Sequence, residues 1–310
     1  MAASDVVTRA VAVPHVVLPA APAIRRRPGA LSRLRRDKKG RTGLVALVVL
    51  LLILFLGPPI LGIDPLFQDL RARLVPPAGL ERSVAGHALG TDQLGRDMLA
   101  RLLVGGQTSL YIGLVASVLA ALLGVAAGMV AGFWGRFWDG IITSIADVQL
   151  TFPNILLALS IMVVLGPGLG NLILVLVLSS WVFQARIIRA DVLSLRHRDF
   201  VEAGRAIGAR DSYLLLRYIL PNIAGSVLVL FTLTLVRVIL AEASLSFLGL
   251  GIQPPAPSWG GMLAEGRQYL SSAWWAGTFP GLLLMVTIVA INLVGDSLRD
   301  ILDPRLQSRG

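Results

Sequence analysis

Cysteine is absent from the 310-residue sequence, which excludes disulfides, thiol nucleophiles and thiolate metal sites. Histidine occurs three times, at His15, His87 and His197, positions too far apart for a histidine metal motif. The sequence also lacks a phosphate-binding G-x-x-x-x-G-K-[ST] loop, a G-x-S-x-G elbow and an H-E-x-x-H helix. We therefore expect no enzyme active site, no metal and no cofactor in this chain.

Charge is scarce as well. Only 15% of the residues are charged and 55% are hydrophobic, whereas a soluble domain carries about 25% charged residues. The mean hydropathy is +0.76. Polar surface is too small to cover a core of this size, so much of the exterior must face lipid. The composition predicts an all-α polytopic membrane protein.

Stretches with few charges, each long enough to cross a bilayer, divide the chain into six predicted transmembrane helices, since about 20 apolar residues span the hydrocarbon. The break Gly166-Pro167-Gly168 separates the third helix from the fourth. The predicted spans are 42–63, 108–133, 141–165, 169–190, 222–250 and 275–295. They form one transmembrane domain over residues 42–310, which follows a basic tail, residues 1–41, predicted to be disordered.

The tail also predicts the topology. Residues 1–41 hold ten basic residues against two acids, and a basic segment beside a span stays in the cytoplasm. Six spans then place both termini in the cytoplasm. The segment Arg186–Arg217, with seven arginines and four acids, falls inside; Asp64–Arg101, with five of each, falls outside. A nucleic-acid-binding arm is the competing interpretation of the tail, but the adjacent span favours contact with membrane lipid and no nucleic acid.

The segment 191–221 is too long for a simple turn and is predicted to be a cytoplasmic loop with structure of its own. Its small residues would let a short helix lie closely in a groove of another protein; they are Ala203, Gly204, Ala206, Gly208 and Ala209. Pro221 is expected to end this helical segment before the next span. The alternative is a helix lying on the lipid surface, for which an Ala/Gly face is small.

Glu202-Ala203-Gly204, followed by Gly208 and then by Leu220-Pro221, resembles the EAA loop of ABC importer permeases. Gly204 at the third small position and Tyr218 at an isoleucine position depart mildly from that pattern. The stretches 90–110 and 242–260 are similar to segments of dipeptide/oligopeptide/nickel permeases of the DppC/OppC type. The resemblance covers residues 40–305, approximately, and leaves out the tail.

The resemblance implies the type I ABC importer permease fold, in the bacterial plasma (inner) membrane, for a subunit that does no bond chemistry. It implies three kinds of partner: a second permease chain of the DppB/OppB type, two cytoplasmic ATPases that bind ATP and Mg²⁺, and an external solute-binding protein. The solute would be a di- or oligopeptide or a similar small molecule, and no residue chooses among these. The ATPase-coupling residues would be Glu202, Ala203, Gly204, Gly208, Leu220 and Pro221.

Three charged residues that lie away from the ends of the predicted spans are candidates for the translocation path or its gate: Asp147, Arg237 and Glu242. Arg237 should face a water-filled cavity or a partner rather than lipid. Either it meets the carboxylate of an incoming peptide, or it pairs with an acid on a neighbouring helix. Glu242 is predicted near the outer gate. Asp147 is expected to cap or pair locally, with a position on the path as the alternative.

Two other functional classes remain open from the residues alone. In an ion- or proton-coupled secondary transporter, the same three charged residues would form a relay. A membrane anchor without transport would leave the external segments rich in Gly and Pro unexplained.

Several remaining features are interpreted as structural. The repeat Gly124, Gly128, Gly132 is typical of close helix packing in a bilayer. Asp92, Arg96 and Asp97 are expected to order the first external loop. The tryptophans Trp259, Trp274 and Trp275 are expected in the outer interfacial belt.

Overall fold

The computed structural model describes residues 37–302, and this part of the chain is helical apart from its connections. Its only β feature is an isolated bridge between Thr91 and Asp97. The expected all-α fold is confirmed. The long helices are α1 (Lys38–Leu61), α2 (Met98–Trp134), α5 (Leu169–Leu195), α8 (Leu220–Phe247) and α10 (Trp275–Leu302); the short ones are α3 (Arg136–Thr151), α4 (Asn154–Leu165), α6 (Asp199–Ala206), α7 (Asp211–Leu214) and α9 (Trp259–Gly266).

Five helical stretches of the described chain are long and apolar enough to cross a membrane, and the bent pair α3 and α4 makes a sixth if it counts as one span. The bundle has two ends. We call the end where α1 begins, beside the basic tail, the tail end. We call the opposite end, which carries the long connection between α1 and α2, the loop end. Residues 1–36 of the predicted basic tail lie outside the described residues.

The third predicted span is not the single helix expected over 141–165. It breaks into α3 and α4, which are bent by 93°. Phe152 is extended, with φ −95° and ψ 136°, and Pro153 is the N-cap residue of the new helix. Proline has no N–H to continue the first helix, and its ring disfavours helical backbone in the residue before it.

The second span starts at Met98 rather than at residue 108. Asp97 caps the helix, because its Oδ1 accepts a hydrogen bond of 2.8 Å from the backbone N–H of Ala100. The charge of Arg101 interrupts the apolar stretch, which is why the sequence did not predict these first turns. Arg101 is nevertheless 2% exposed, because carboxylates on other segments surround it.

Pro221 does not end a helix, contrary to the expectation. The backbone is continuous from Asp211 to Phe247 and passes through a π-helical turn at Leu215–Ile219. The N–H of Leu220 donates to the carbonyl of Leu215, five residues back. Pro221 lies in the first turn of α8, so the wider turn before it accommodates a residue that has no N–H.

The glycine repeat of α2 packs directly against the backbone of α5, as predicted. A Cβ atom added at Gly124, Gly128 or Gly132 would lie 2.7, 2.6 or 2.9 Å from the carbonyl oxygen of Trp181, Ala185 or Arg189, respectively. Such distances are too short for any side chain. These two helices form the centre of the bundle.

The outermost of the long helices is α1. Only 11% of its most apolar window is buried, against 50% for that of α5. Val45, Phe55 and Ile60 are among its exposed apolar side chains. These side chains are suited to face lipid.

Two of the three tryptophans predicted for the outer interfacial belt are buried in the protein and do not face lipid. Trp259 is fully buried, and its indole N–H donates to the carbonyl of Leu102 at 2.9 Å. Trp275 is 4% exposed and donates to the carbonyl of Thr91 at 3.1 Å. Both indoles therefore connect segments of the loop end, and of these three tryptophans only Trp274 is substantially exposed.

Candidate coupling surface and translocation cavity

Helix α6 carries the start of the EAA-like segment at the tail end of the bundle. Asp199 and Glu202 lie in its first turn, where carboxylates are favoured by the helix dipole. Gly208 follows the helix with φ +81°, and its N–H donates to the carbonyl of Arg205 at 2.9 Å. The N–H of Ala209 donates to the carbonyl of Gly204 at 3.0 Å. This is the Schellman arrangement, so Gly208 is needed for its left-handed backbone.

The small residues of this segment do not share one face. Gly204 is buried, and a Cβ atom there would lie 2.7 Å from Cδ2 of Leu214 on α7. Gly204 therefore lets α6 pack closely against its own chain rather than against a partner. At Gly208 an added Cβ would meet nothing within 4 Å, so space is not what restricts that position.

The outward side of α6 is exposed and has an apolar tip. Ile207, which follows the helix, is 83% exposed. We call the exposed set Glu202, Ala203, Ala206, Ile207 and Gly208 the coupling surface. Leu220 and Pro221 are not part of it, because they lie at the start of α8. Sequence reasoning missed Ile207, although an isoleucine between two arginines, Arg205 and Arg210, is a signal that could have found it.

A cavity of about 620 Å³ opens on one face of the bundle between α4, α5 and α8. Its charged lining residues are Arg186 and Arg237, and we call it the arginine cavity. The other lining residues are hydroxyl, amide and apolar side chains: Asn154, Ser179, Ser180, Thr234 and Ser244 are polar, while Ile155, Ala158, Leu240 and Leu245 are among the apolar ones.

Arg237 is an exposed residue of α8 that lines this cavity. Its Cζ lies 3.9 Å from the ring centroid of Phe183 on α5, a cation–π contact. Among the acids of residues 37–302, none forms an ion pair with it. Of the two interpretations left open by the sequence, a pair with an acid on a neighbouring helix is thus not seen within the described chain.

Asp147 pairs with Arg186 across α3 and α5, and both side chains are at least half exposed. About two turns of α3 closer to the tail end, Asp139 pairs with Arg189, whose Nη2 lies 2.7 Å from Oδ2. The expectation of local pairing for Asp147 matches this geometry. Sequence reasoning counted Arg186 as a loop charge and missed its place on the cavity wall, because α5 continues to Leu195.

Glu242 is fully buried near the loop end of α8. Its Oε1 accepts a hydrogen bond of 2.8 Å from Ser246 Oγ, while Oε2 has no hydrogen-bond partner. The hydroxyls of Ser109 and Ser258 also face the carboxyl group. Since Ser258 caps α9 and Ser109 Oγ accepts from the N–H of Trp259 at 3.1 Å, Glu242 lies where α9 packs on the bundle.

The three intramembrane candidates are therefore in three different places. Asp147 is paired on the outside of α3, Arg237 lies in the arginine cavity, and Glu242 is buried beneath α9. They do not contact one another, and no relay connects them among residues 37–302.

The loop end contains a group of four charged residues, which we call the loop-end ion cluster: Asp92, Arg96 and Arg101, which are buried, and Glu265, which is partly buried. Arg96 Nε lies 2.6 Å from Asp92 Oδ2, and its Nη2 lies 3.0 Å from Glu265 Oε2. Arg101 also binds both carboxylates, with Nη1 2.8 Å from Glu265 Oε2. The cluster joins the first long connection, the start of α2 and α9. Asp92 and Arg96 order the loop, as expected.

Two further contacts complete the cluster. Gln93 Nε2 donates to Glu265 Oε2 at 2.8 Å, and His87 Nδ1 lies 2.9 Å from Asp97 Oδ2. Burial alone would raise the pKa of Glu265, but hydrogen bonds and charge from Arg101, with Gln93 and Arg96, hold that pKa below its ordinary value. Glu265 is thus held as a carboxylate.

Family comparison agrees with these features. Residues 124–308 match the family model described as binding-protein-dependent transport system inner membrane component, and residues 29–77 match the N-terminal TM domain of oligopeptide transport permease C. The dipeptide transport system permease protein DppC of Escherichia coli K12 is 45% identical, over 88% of this chain and 91% of that protein. The di/tripeptide transport system permease protein DppC of Pseudomonas aeruginosa is 40% identical, over 88% and 90%.

Among solved structures, one titled for inward facing conformations of the MetNI methionine ABC transporter matches with a TM-score of 0.54. It covers 66% of this chain and 97% of that one, at 21% identity. This likeness shows the fold, which is that of a type I importer permease. Together with the sequence matches, it places the chain in the family of binding-protein-dependent transport system inner membrane components.

Proposed function

We propose that this chain is the permease subunit of an ABC importer for peptides, and that it forms the translocation path with a second permease chain of related fold. The substrate class is supported by relatives named for dipeptide and di/tripeptide transport, which match nearly nine tenths of the chain. The arginine cavity supplies a concave, partly polar surface of suitable size for one wall of a path.

The coupling surface is the single observation that carries the mechanism. An isoleucine that is 83% exposed at the tip of a short, rigidly capped helix is a poor lipid anchor and a good anchor for a protein groove. In the proposed importer, two cytoplasmic ATPases bind ATP and Mg²⁺ and receive this helix. A change in their arrangement then reaches α5 and α8 through the packed contacts of Val201 and Leu214. An external binding protein would deliver the solute at the loop end.

The proposal fixes the orientation. The tail end, with the coupling surface, lies in the cytoplasm, and the loop end lies outside. The excess of arginine in Arg186–Arg217 over its acids supports this assignment. The ion-coupled alternative has no support from the described residues, because its three candidate groups lie apart.

Replacing Ile207 with aspartate tests the coupling role. The side chain is exposed, so the fold should be retained, while a carboxylate buried in an apolar groove should abolish docking. We expect the Ile207→Asp permease to lose co-purification with the ATPases and ATP-dependent peptide uptake in liposomes. Val84→Asp, at an exposed apolar residue of the loop end, is the matched control and should retain both. Normal ATPase binding and uptake by Ile207→Asp would refute the coupling role.

A further inference from the structure

We propose that Arg237 binds the carboxylate of the transported solute, so that the path selects solutes that carry a free carboxyl group. For a peptide this is the C-terminal carboxylate. The inference rests on the proposed function and adds to it a specificity-determining residue in the arginine cavity.

Arg237 lies deep within the membrane-spanning part of α8. It lies ten residues before the end of α8 at Phe247, about 15 Å along the helix axis at ~1.5 Å per residue. An arginine at this depth must meet water or an anion, because lipid contact is costly. The Phe183 ring holds the guanidinium at 3.9 Å without supplying a hydrogen-bond acceptor. Its donors are left for a ligand in the cavity.

The charge of the ligand group near Arg237 can be inferred from the residues that line the cavity. The residues that line the cavity include two arginines and no acid. The charge of Arg186 is balanced by Asp147, which stands outside the lining, whereas Arg237 has no ion-pair partner among the described acids. This field favours a carboxylate and repels an α-ammonium group. A guanidinium also matches a carboxylate with two parallel hydrogen bonds.

The remaining wall suits a peptide of variable sequence. The hydroxyl oxygens of Ser179 and Ser244, which donate to helix carbonyls, can accept hydrogen bonds from peptide N–H groups, and Ile155 and Leu240 offer apolar surface. A volume of about 620 Å³ lies within the range of small-ligand pockets. Arg237 is then the one strongly directional contact, which orients the solute by its carboxyl end.

The test compares a tripeptide with its C-terminal amide as substrates of the assembled importer in liposomes. Wild type, Arg237→Gln and Arg237→Lys are measured with the same binding protein, whose own preference cancels when acid-to-amide uptake ratios are compared. We expect Arg237→Gln to lower the ratio by about tenfold or more, since a hydrogen-bonded charge contact is typically worth that much. Arg237→Lys keeps the positive charge but loses the planar guanidinium group, so its acid-to-amide uptake ratio should lie between those of wild type and Arg237→Gln.

Arg267→Gln is the matched control, because Arg267 also lies over a phenylalanine ring, Phe247, at 5.1 Å, but outside the cavity. It should leave the ratio unchanged. An equal loss of acid and amide uptake in Arg237→Gln would overturn the proposal and indicate an acid of the second permease as the partner of Arg237. An unchanged ratio would overturn it too.

A second measurement separates this inference from the proposed function, because it requires no transport. Phenylglyoxal modifies accessible arginines, and mass spectrometry reports its rate at Arg237 in the purified complex. The tripeptide acid should slow modification of Arg237 and the amide should not, while Arg267 is modified equally in both. Equal rates at Arg237 would overturn the carboxylate site, whereas a wild-type complex without ATP-dependent uptake would overturn only the proposed function.

Discussion

The two ends of the bundle differ in how their charged and apolar side chains are placed. At the loop end, four charged residues are joined in one cluster, and two buried indoles donate to backbone carbonyls. At the tail end, α6 leaves Ile207 at 83% exposure and closes on a glycine with φ +81°. The loop end joins its buried arginines to carboxylates of the same chain. The tail end presents an exposed isoleucine at the tip of a short helix.

Under the proposed function, this contrast separates the part that stabilises the fold from the part that transmits motion. A buried, hydrogen-bonded network has a high cost of opening, whereas a short exposed helix opens locally at low cost. The loop end is thus suited to remain rigid while the tail end follows a partner. The following predictions break each end in turn, beginning with the largest expected effect.

Replacing Arg101 with methionine should produce the largest loss of stability. Arg101 is 2% exposed and contacts both Asp92 and Glu265, so the variant leaves these two carboxylates to share the single positive charge of Arg96. Removing one member of a buried ion pair typically costs about 3–5 kcal/mol. We expect a clear fall in the thermal unfolding temperature of the detergent-solubilised protein.

Arg267→Met, in the same region but exposed, is the control for this substitution. It should change the free energy of unfolding by no more than about 0.5 kcal/mol, as is usual for surface positions. A loss no larger for Arg101→Met than for this control would show that the loop-end ion cluster does not hold the fold together.

Acidification should weaken the loop end next. The pKa of Glu265 is lower in the folded protein than in the unfolded chain, because the arginine contacts outweigh the effect of burial. Its contribution is therefore complete above the ordinary glutamate pKa of about 4.3 and is lost as pH falls through the lowered value. The unfolding temperature, measured from pH 7 downwards, should drop over that interval.

Glu265→Gln removes this titration, so its unfolding temperature should start lower, by the equivalent of about 1–3 kcal/mol, and decline less steeply in acid. Glu81→Gln, at an exposed acid of the same connection, should follow the wild-type curve. If wild type and Glu265→Gln decline in parallel, Glu265 does not carry the acid sensitivity of the cluster.

The two ends also differ in how much of their structure could be predicted from the sequence. Apolar runs located the membrane helices, and the spacing of Gly124, Gly128 and Gly132 predicted the α2–α5 contact, because those signals are local and periodic. The break at Pro153 was readable from the chemistry of proline but was not used, so 141–165 was predicted as one helix.

Contacts between residues that are far apart in the chain could not be predicted from the sequence. Nothing near Arg101 in the chain indicates Glu265, which is 164 residues away, so the start of α2 was misplaced. Trp259 and Trp275 likewise have the composition of interfacial residues, and only the tertiary contacts show them buried. At the tail end the motif located the segment, but only the fold shows that Gly204 faces inward while Gly208 faces out.

The smallest change in stability, with a large change in coupling, is expected at Gly208. Valine there must adopt a left-handed backbone at a cost of about 1–2 kcal/mol, whereas asparagine enters that region readily. Gly208→Val should therefore distort the end of α6 and lose most peptide uptake per ATP hydrolysed. Gly208→Asn should retain it. Unfolding temperatures of both should stay near that of wild type, because the distortion is local.

Gly86 provides the matched control, because it also has a positive φ, +101°, with nothing within 4 Å of an added Cβ, but lies at the loop end. Gly86→Val should strain its turn equally and leave the ratio of uptake to hydrolysis unchanged. If Gly208→Asn loses as much coupling as Gly208→Val, the position does not tolerate a side chain of any kind, and its left-handed backbone is not the reason for the glycine. Gly208 would then itself lie inside the partner's groove, and the contact would extend beyond the exposed isoleucine at the tip of α6.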